Sequence, residues 1–484
     1  MSRLDSLRGQ SFDIAIIGGG IIGAGIARDA ALRGFSVALF EKSDYGSGAT
    51  SGSTRLIHGG LRYLEMLDFG LVRMDLRERE ILLRIAPHLV RPLEFLIPFY
   101  DLSLLARAKL RAGMLLYEAL SFDKSLPSYR ILSRREMLGR EPGLREQGLQ
   151  GGAAYFDAQA ASPERLAIEN ILDARAHGAQ ALNYCEATGA LRARSGIAGV
   201  RVRDALTGDE AEVRARVVVN ASGAWFDRVA QAIEPGAAPR IRTTKGIHLA
   251  CPPVSRSAVV LFSPIDGRLF FAIPWLNLGW IGTTDTDFQG DPGAACATAE
   301  DVDYLVRSAA AFFPEAARAE IYWTNAGVRS LVMQPGKPSA VSRTHRLEIR
   351  PGLVSVLGGK ITGYRAIAEQ ATDAAAIQLG ARRKCATGSE PLPGASEKLR
   401  QDDMEQLASR AASEQCVHLA DFMLRRTTLG FAPDQGAAIA SRAASLLASA
   451  LGWDEARQEA EVQMYMAYIE RTNAWRAAAH SSNV

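Results

Sequence analysis

A glycine-rich turn near the start of the chain constrains the fold more than any other feature. The run Phe12-Asp-Ile-Ala-Ile-Ile17 is short and apolar and leads directly into Gly18-Gly-Gly20-Ile-Ile-Gly23. A strand, a G-x-G-x-x-G turn and a helix form the fingerprint of a dinucleotide-binding βαβ unit, because the glycines let the backbone approach a pyrophosphate at the helix N-terminus. Small residues predict this helix over 23–33, and Phe35-Ser-Val-Ala-Leu-Phe40 predicts the second strand.

An acidic residue completes this unit. Glu41 follows the second strand about 20 residues after the turn, where a carboxylate accepts the ribose hydroxyls of an adenosine. An acid at this position disfavours a cofactor with a 2′-phosphate. The fingerprint alone does not separate NAD from FAD, and a purely structural turn is the alternative to both.

Two later glycine turns favour FAD. Val217-Val-Val-Asn-Ala-Ser-Gly223 leads to Trp225, and Leu353-Val-Ser-Val-Leu-Gly-Gly359 leads through Lys360 into a helix predicted from Ile361 to about Leu379. A helix N-terminus aimed at the flavin would stabilise the negative charge that develops there on reduction, which an NAD enzyme does not need. The alternative is that both are ordinary structural turns. If both turns contact the cofactor, the nucleotide-binding domain is discontinuous and is built from three separate stretches of the chain.

The remaining sequence differs in character from these three stretches. Residues 250–290 hold apolar and aromatic runs interrupted by Pro and Gly, which predicts an antiparallel sheet. From about Ser396 the chain is rich in Ala, Glu, Gln and Arg, which predicts a small helical domain after a linker at Pro391 and Pro393. The predicted fold class is α/β: a discontinuous Rossmann-like FAD-binding domain (11–90, 150–245 and 326–380), an antiparallel-sheet substrate domain (91–149 and 246–325) and a C-terminal helical domain (395–484).

Composition excludes several classes of protein. Apolar residues make up 48% and charged residues 23%, which is typical of a globular protein, and a net charge of +3 does not indicate nucleic-acid binding. Five cysteines lie far apart without a C-x-x-C pair, which favours reduced thiols in the cytoplasm. The seven histidines show no metal-ligand spacing, so no metal site is expected. We expect neither a signal peptide nor a membrane-spanning helix, because no suitable apolar stretch is present.

One segment carries a family resemblance. Ala49-Thr-Ser-Gly-Ser-Thr-Arg-Leu-Ile-His58-Gly-Gly-Leu-Arg62-Tyr63-Leu-Glu65 closely resembles the FAD-dependent (respiratory) glycerol-3-phosphate dehydrogenases. The resemblance implies the fold of the glycine-oxidase-like flavoproteins, oxidation of sn-glycerol 3-phosphate to dihydroxyacetone phosphate, and transfer of electrons to a membrane quinone. It spans about residues 11–380 and includes Ala86-Pro-His-Leu89, Lys245-Gly-Ile-His248, Ile281-Gly-Thr-Thr-Asp285, Ala326-Gly-Val-Arg329 and Gly358-Gly-Lys-Ile-Thr362.

The chain departs from the family pattern in two places. Only some thirty residues separate Pro391-Leu-Pro-Gly394 from Leu424-Arg-Arg-Thr427, so much of the first part of the family's C-terminal domain is missing. Met333-Gln-Pro-Gly-Lys-Pro338 also does not match the family. Substrate identity or assembly could differ from the better-known members for these reasons.

The resemblance also implies site residues. Oxidation of an alcohol by flavin requires a hydride acceptor and a proton acceptor, and a phosphate needs fixed cations, for which arginine is best suited. Arg62 and Arg329 are the candidate phosphate clamp, with Tyr63 as a donor and Lys360 as a further charge. His58 is the candidate base, His248 is the second candidate, and Thr283 and Thr284 are candidate hydroxyl groups near the substrate. The predicted cofactor-binding residues are Gly18, Gly20, Gly23, Glu41, Lys42, Thr50, Ser51, Ser53, Gly223, Trp225, Gly359, Lys360, Ile361 and Thr362.

The sequence leaves alternatives open for membrane contact and for the class of substrate. The segment from Leu104 to Leu120 has helical spacing, apolar residues and three cations, so it either lies in a bilayer interface or packs on the core. The expected location is cytoplasmic, with the alternative of a peripheral contact on the inner face of the cytoplasmic membrane. A homodimer is the oligomeric state considered. The rival functions are a related FAD oxidase or dehydrogenase of a 2-hydroxy acid or amino acid, and a flavin-binding sensor.

Overall fold

A computed structural model of the protein describes residues 2–64, 66–194, 196–334, 344–397 and 400–477, and for Arg62 it describes the backbone only. The strands within these residues are numbered in chain order. They are β1 (Ser11–Ile17), β2 (Val37–Phe40), β3 (Leu56–Ile57), β4 (Val90–Tyr100), β5 (Arg130–Ser133), β6 (Leu149–Ala160), β7 (Gln180–Leu182), β8 (Cys185–Ala193), β9 (Gly196–Asp204), β10 (Glu210–Asn220), β11 (Ile241–Cys251), β12 (Ala258–Phe262), β13 (Leu269–Trp275), β14 (Leu278–Gly282), β15 (Thr286–Asp287), β16 (Trp323–Val332), β17 (Arg346–Arg350) and β18 (Leu353–Leu357).

The helices are numbered in the same way. They are α1 (Ile21–Leu32), α2 (Phe69–Ile85), α3 (Leu104–Leu120), α4 (Arg134–Arg140), α5 (Pro163–Ala176), α6 (Phe226–Ile233), α7 (Ala299–Ala310), α8 (Tyr364–Gln378), α9 (Met404–Ser409), α10 (Leu419–Asp421), α11 (Ala440–Leu451) and α12 (Glu455–Thr472).

The first sheet has a parallel centre. Its strands follow the order β17-β18-β10-β1-β2-β7, and the pairs from β18 to β7 are parallel. Strand β1 lies in the middle, with Ile14 opposite Val217 on one side and Val37 on the other. Strands β2 and β18 and the last part of β10 are mainly apolar, because helices α1, α5 and α8 cover one face of the sheet and apolar side chains fill the other. The predicted Rossmann-like unit with returning strands is confirmed.

The second sheet is antiparallel apart from one pair. It follows the order β15-β11-β14-β13-β12-β4-β6-β3, with β16 added to β11 and β5 added to β6. Strands β12 and β4 are the parallel pair. Trp275 and Trp280 are fully buried between this sheet and the C-terminal helices. The predicted antiparallel-sheet domain and C-terminal helical domain are therefore also confirmed, whereas the boundaries given for the three domains stay a prediction.

The C-terminal helices are attached to the first sheet by a buried ionic cluster. Arg426, from the Leu424-Arg-Arg-Thr427 run, donates to the carboxylate of Asp44, and its Nη2 lies 2.9 Å from Oδ1. Arg425 donates to the same carboxylate from Nε at 2.5 Å. Burial opposes ionisation of Asp44, but the two guanidinium charges outweigh it and lower the pKa to about 2. The motif thus joins the helices to the loop that follows β2.

Candidate functional site

A cavity of about 820 Å³ lies where the two sheets meet. The turns that follow β1, β10 and β18 line one end, because parallel strands present their carboxyl ends at the same edge of a sheet. Strands β12, β13 and β16 of the second sheet line the other end, and α3 lies along its side. Its volume falls in the upper part of the range of about 300–1,000 Å³ usual for ligand sites.

Two glycines of the first turn leave no room for a side chain. Gly18 has a φ of +107°, and a Cβ there would lie 2.7 Å from the carbonyl oxygen of Ala221. A Cβ on Gly23 would lie 1.9 Å from the carbonyl oxygen of Gly18. Gly18 and Gly20 line the cavity, whereas Gly23 lets α1 pack against the turn. Backbone therefore forms the cavity wall at Gly18 and Gly20, just before α1.

Charged and aromatic groups form the wall beside this turn. Glu41 accepts the backbone N–H of Gly19 at 2.6 Å and that of Ser43 at 2.9 Å, and burial raises its pKa. The Lys42 ammonium lies 4.0 Å from the centre of the Trp225 ring, and burial lowers the pKa of Lys42. Gly223, with a φ of +58°, begins the short 3-10 helix that carries Trp225. Glu41, Lys42, Gly223 and Trp225 all line the cavity.

In the hydroxyl-rich loop over residues 46–54, some side chains line the cavity and others hold the loop together. Thr50 and Ser53 line the cavity, and the Thr50 hydroxyl accepts the N–H of Ile21 at 3.0 Å, in the first turn of α1. Ser51 does not line it, since its hydroxyl donates to the carbonyl of Gly46 at 2.8 Å. Ser51 therefore shapes the loop that presents its neighbours.

The late glycine turn meets the His58 segment. The backbone N–H of His58 donates to the Thr362 hydroxyl at 3.2 Å. Gly359 has a φ of +103°, which a residue with a side chain rarely adopts. His58, Gly359, Lys360, Ile361 and Thr362 all line the cavity. The ring of His58 is neutral, because burial and the nearby Lys360 charge lower its pKa to about 3.

Lys360 forms an ion pair that the sequence did not predict. Its ammonium contacts the carboxylate of Asp75 on α2 and lies 4.2 Å from the centre of the Tyr63 ring. Asp75 is fully buried, and burial raises its pKa to about 7 against the opposing charge of Lys360. The available signal was the position of Asp75 on the buried stripe of α2, between Leu71 and Leu82.

Arg329 is held in place by the loop after β14. Its Nη2 donates to the Thr283 hydroxyl at 2.8 Å, and its Nη1 lies 3.2 Å from the Asp285 carboxylate. Arg268, which no sequence pattern indicates, donates from Nη1 to the backbone carbonyl of Asp285 at 2.8 Å. Arg268, Thr283, Asp285 and Arg329 all line the cavity. Two cations therefore bond to one residue at this end of the cavity.

Two predicted residues lie behind the cavity wall. The Thr284 hydroxyl accepts the N–H of Ile247 at 3.0 Å, and Thr284 does not line the cavity. Its neighbour Thr283 does. His248 stacks on Trp280 with ring centres 4.9 Å apart and hydrogen-bonds Thr54 at 3.0 Å. Burial lowers the pKa of His248 well below its usual value. Thr54 lines the cavity, so His248 reaches it only through that hydroxyl.

Two further predictions fall partly outside the described residues. Arg62 lies on the 3-10 helix Leu61–Leu64, next to Tyr63 in the cavity wall, but its side chain is not among the described parts of the chain. Residues 335–338 of the Met333-Gln-Pro-Gly-Lys-Pro338 run lie outside the described residues altogether. The role of Arg62 and the effect of this run stay predictions.

Helix α3 has the predicted bounds and is largely exposed. Met114 and Tyr117 are its buried residues, while the side chains of Leu104 and Leu105 are 78% and 81% exposed. Lys109, Leu110 and Leu116 of the same helix line the cavity. Within the described residues, no helix is both long enough and apolar enough to span a bilayer.

Comparison with known proteins gives consistent matches. The model of the FAD dependent oxidoreductase family matches residues 13–373, and that of the C-terminal domain of alpha-glycerophosphate oxidase matches residues 395–458. A glycerol-3-phosphate dehydrogenase of Synechocystis is 40% identical over 82% of this chain and 75% of its own length. An aerobic glycerol-3-phosphate dehydrogenase of Staphylococcus haemolyticus is 36% identical over 80% of this chain and 72% of its own. The structure of a Bacillus halodurans glycerol-3-phosphate dehydrogenase complexed with FAD aligns with a TM-score of 0.79 at 25% identity, covering 97% of this chain and 96% of that one.

Proposed function

The chain belongs to the FAD-dependent oxidoreductase family, and we propose that it oxidises sn-glycerol 3-phosphate to dihydroxyacetone phosphate with FAD and passes the electrons to a quinone. One observation carries this proposal. A single cavity is lined by a dinucleotide-type glycine turn, with Gly18 and Glu41, and by a group of cations that includes Lys360 and Arg329. The turn suits a nucleotide, and the cations suit a small anionic substrate.

The residues at the nucleotide end fit FAD. At Gly18 there is room for backbone only, which leaves the N-terminus of α1 open to a pyrophosphate. Glu41 offers a carboxylate for ribose hydroxyls, and Lys42 and Trp225 form the adjoining wall. We propose that these residues hold the adenosine part and that Thr50, Ser53 and the 359–362 turn hold the remainder. When bound, FAD supplies the acceptor for the substrate hydride.

We propose that Arg329 binds the substrate phosphate. Its guanidinium is fixed by Thr283 and Asp285, and its side chain lines the cavity and stays 24% exposed. A fixed planar fork suits a phosphate better than a mobile point charge. Tyr63 and Arg62 are the further members proposed for this clamp, and Lys360 adds positive charge in the same cavity.

The carbinol group is then proposed to lie near His58 and Lys360. A neutral imidazole can hydrogen-bond the substrate hydroxyl without adding a second positive charge beside Lys360. The ammonium of Lys360 stabilises the oxygen as it loses its proton. His248 supports this arrangement through Thr54 and does not itself contact the substrate.

Anaerobic flavin reduction tests the substrate class. Purified protein is mixed with glycerol 3-phosphate, and the oxidised-flavin absorbance is followed. Rapid bleaching that glycerol, lactate and glycine do not produce is the expected result. If the flavin is reduced by dithionite but not by glycerol 3-phosphate, the proposed function is wrong, and bleaching by a hydroxy acid or an amino acid would identify the related FAD enzymes instead.

We propose that α3 lies in the interface of a bilayer and brings the cavity close to a membrane quinone. Its exposed leucines are joined by Phe122, which is 77% exposed, and by the cations Arg107, Lys109 and Arg111. Apolar side chains together with cations favour the surface of an anionic membrane. Because the same helix lines the cavity, such contact places the membrane beside the site.

A homodimer is the oligomeric state that we propose, and analytical ultracentrifugation tests it.

Vesicle sedimentation tests the membrane contact. The double substitution Leu104→Ser and Leu105→Ser is expected to reduce binding to anionic phospholipid vesicles and to slow the reduction of vesicle-borne quinone. A soluble dye should still be reduced at the original rate. The control is Ile377→Ser on α8, which removes an apolar side chain that is 77% exposed. Equal binding by both variants would contradict the proposed contact.

A further inference from the structure

We propose that Asp75 accepts, through Lys360, the proton that the substrate hydroxyl loses. Resting on the function proposed above, this assigns the proton to a buried carboxylate on α2 and not to the imidazole of His58. The carboxylate and the ammonium are in direct contact, and Lys360 lines the cavity while Asp75 lies behind it. The pair therefore connects the substrate space to a site shielded from water.

Burial and contacts set Asp75 apart from the other carboxylates of α2. Its side chain has no exposed surface. Among the described residues, neither of its oxygens accepts a hydrogen bond from a group other than Lys360. A buried carboxylate normally collects several donors, because removal of its charge from water is costly. One partner alone makes the protonated form of Asp75 accessible.

The neighbouring charged groups are already paired. Asp157 on β6 is bonded by Arg79, at 2.5 Å, and by the Tyr117 hydroxyl, at 2.8 Å. Glu78 on α2 is bonded twice by Arg365 from α8. Burial is the main cause that raises the pKa of Asp75 to about 7, and the negative charges of Asp157 and Glu78 add to it. Tyr63 faces the pair from the other side, over the Lys360 ammonium.

The proton moves in two linked transfers. The Lys360 ammonium gives a proton to the Asp75 carboxylate, so that an N–H bond breaks and an O–H bond forms. The resulting amine takes the proton of the substrate hydroxyl, which restores the ammonium. The carbinol carbon is oxidised as its hydride leaves to FAD, and the proton ends on Asp75. His58 is less suited to this task, since its pKa of about 3 leaves it a weak base.

Two measurements test the assignment. In anaerobic stopped-flow experiments, the rate constant for flavin reduction by glycerol 3-phosphate should fall as the pH drops below about 7, because protonated Asp75 cannot accept a proton. Asp75→Asn should lower this rate constant by about a hundredfold and remove the acid limb, whereas Asp75→Glu should keep the limb. In infrared titration of the holoenzyme, a carboxylic-acid C=O band should titrate near neutral pH and be absent from Asp75→Asn.

Controls separate the possible failures. Asp173→Asn removes another buried carboxylate, bonded by Arg28 at 2.5 Å outside the cavity, and should leave the acid limb unchanged. If Asp75→Asn keeps the acid limb of the pH profile, Asp75 is not the proton acceptor, whatever the rate of the variant, although the proposed function stands.

If the wild-type protein is not bleached by glycerol 3-phosphate, the proposed function fails. The infrared titration then tests Asp75 separately, and absence of a band that titrates near neutral pH overturns its role. Should Asp75→Asn lose FAD, the infrared titration of the wild type and the pH profile of Asp75→Glu still decide.

Discussion

The backbones of Gly52 and Gly327 lie in contact: a Cβ built on Gly52 would lie 2.3 Å from the Cα of Gly327. Gly52 belongs to the hydroxyl-rich loop that carries Thr50 and Ser53, and Gly327 belongs to β16, which carries Arg329 two residues later. This contact therefore fixes the distance between the proposed cofactor residues and the proposed phosphate clamp.

Gly327→Ala should separate these two parts of the site. A Cβ on Gly327 would lie 2.4 Å from the carbonyl oxygen of Gly52, and backbone can move aside only by shifting the whole loop. Overpacking of this kind costs about 1–3 kcal/mol of stability. We expect a lower melting temperature and a reduced ratio of FAD to protein. Gly70→Ala in α2, where a Cβ meets no atom within 4 Å, is the control and should lower neither.

Arg329→Ala should act mainly on the phosphate of the substrate. Loss of hydrogen bonds to a charged group costs about 1.5–3 kcal/mol, so kcat/KM for glycerol 3-phosphate should fall by roughly tenfold to a hundredfold. Inorganic phosphate, used as a competitive inhibitor, should also bind more weakly to the variant. Unchanged inhibition by phosphate would mean that Arg329 does not bind the phosphate. Arg307→Ala, at an exposed position on α7, should have no effect on either.

Asp44→Asn should destabilise the protein in a pH-dependent manner. The pKa of Asp44 is lowered in the folded state to about 2, so its ionic contribution is complete above the unfolded pKa and is lost as the pH falls towards 2. Since the substitution leaves Arg426 without its buried carboxylate and Arg425 with Asp421 alone, the loss at neutral pH should be about 3–5 kcal/mol. Urea unfolding at pH 7 and near pH 3 measures both values, and a difference that does not shrink at the lower pH would contradict the ionic origin. Asp402→Asn, in an exposed pair with Arg400, should have almost no effect.

His58→Gln should slow flavin reduction without altering the shape of its pH profile. The His58 ring is neutral across the range from pH 5 to 9, because its pKa lies at about 3, so no limb in that range belongs to it. Loss of one neutral hydrogen bond to the substrate corresponds to about 1 kcal/mol, or roughly a fivefold lower rate. FAD content is measured in parallel. If the variant loses FAD instead, His58 holds the cofactor and does not contact the substrate.

The sequence by itself determined the nucleotide-binding unit. The run from Phe12 through Gly23 to Glu41 specifies strand, turn, helix and strand by local rules, since glycine conformation and apolar patterning act over a few residues. Later turns at Gly223 and Gly359 were found in the same way, and both lie in the cavity wall. The bounds of α3 followed from its spacing alone.

Tertiary structure decided which polar side chains face the cavity. Thr283 faces it and Thr284 does not, because the backbone at the end of β14 directs adjacent side chains in different directions. Arg268 lies in the wall, although nothing in its own segment marks it. Asp75 meets Lys360 only because α2 packs beside the turn that precedes α8, and burial then sets its protonation. Such properties depend on contacts between distant parts of the chain, and local patterns do not encode them.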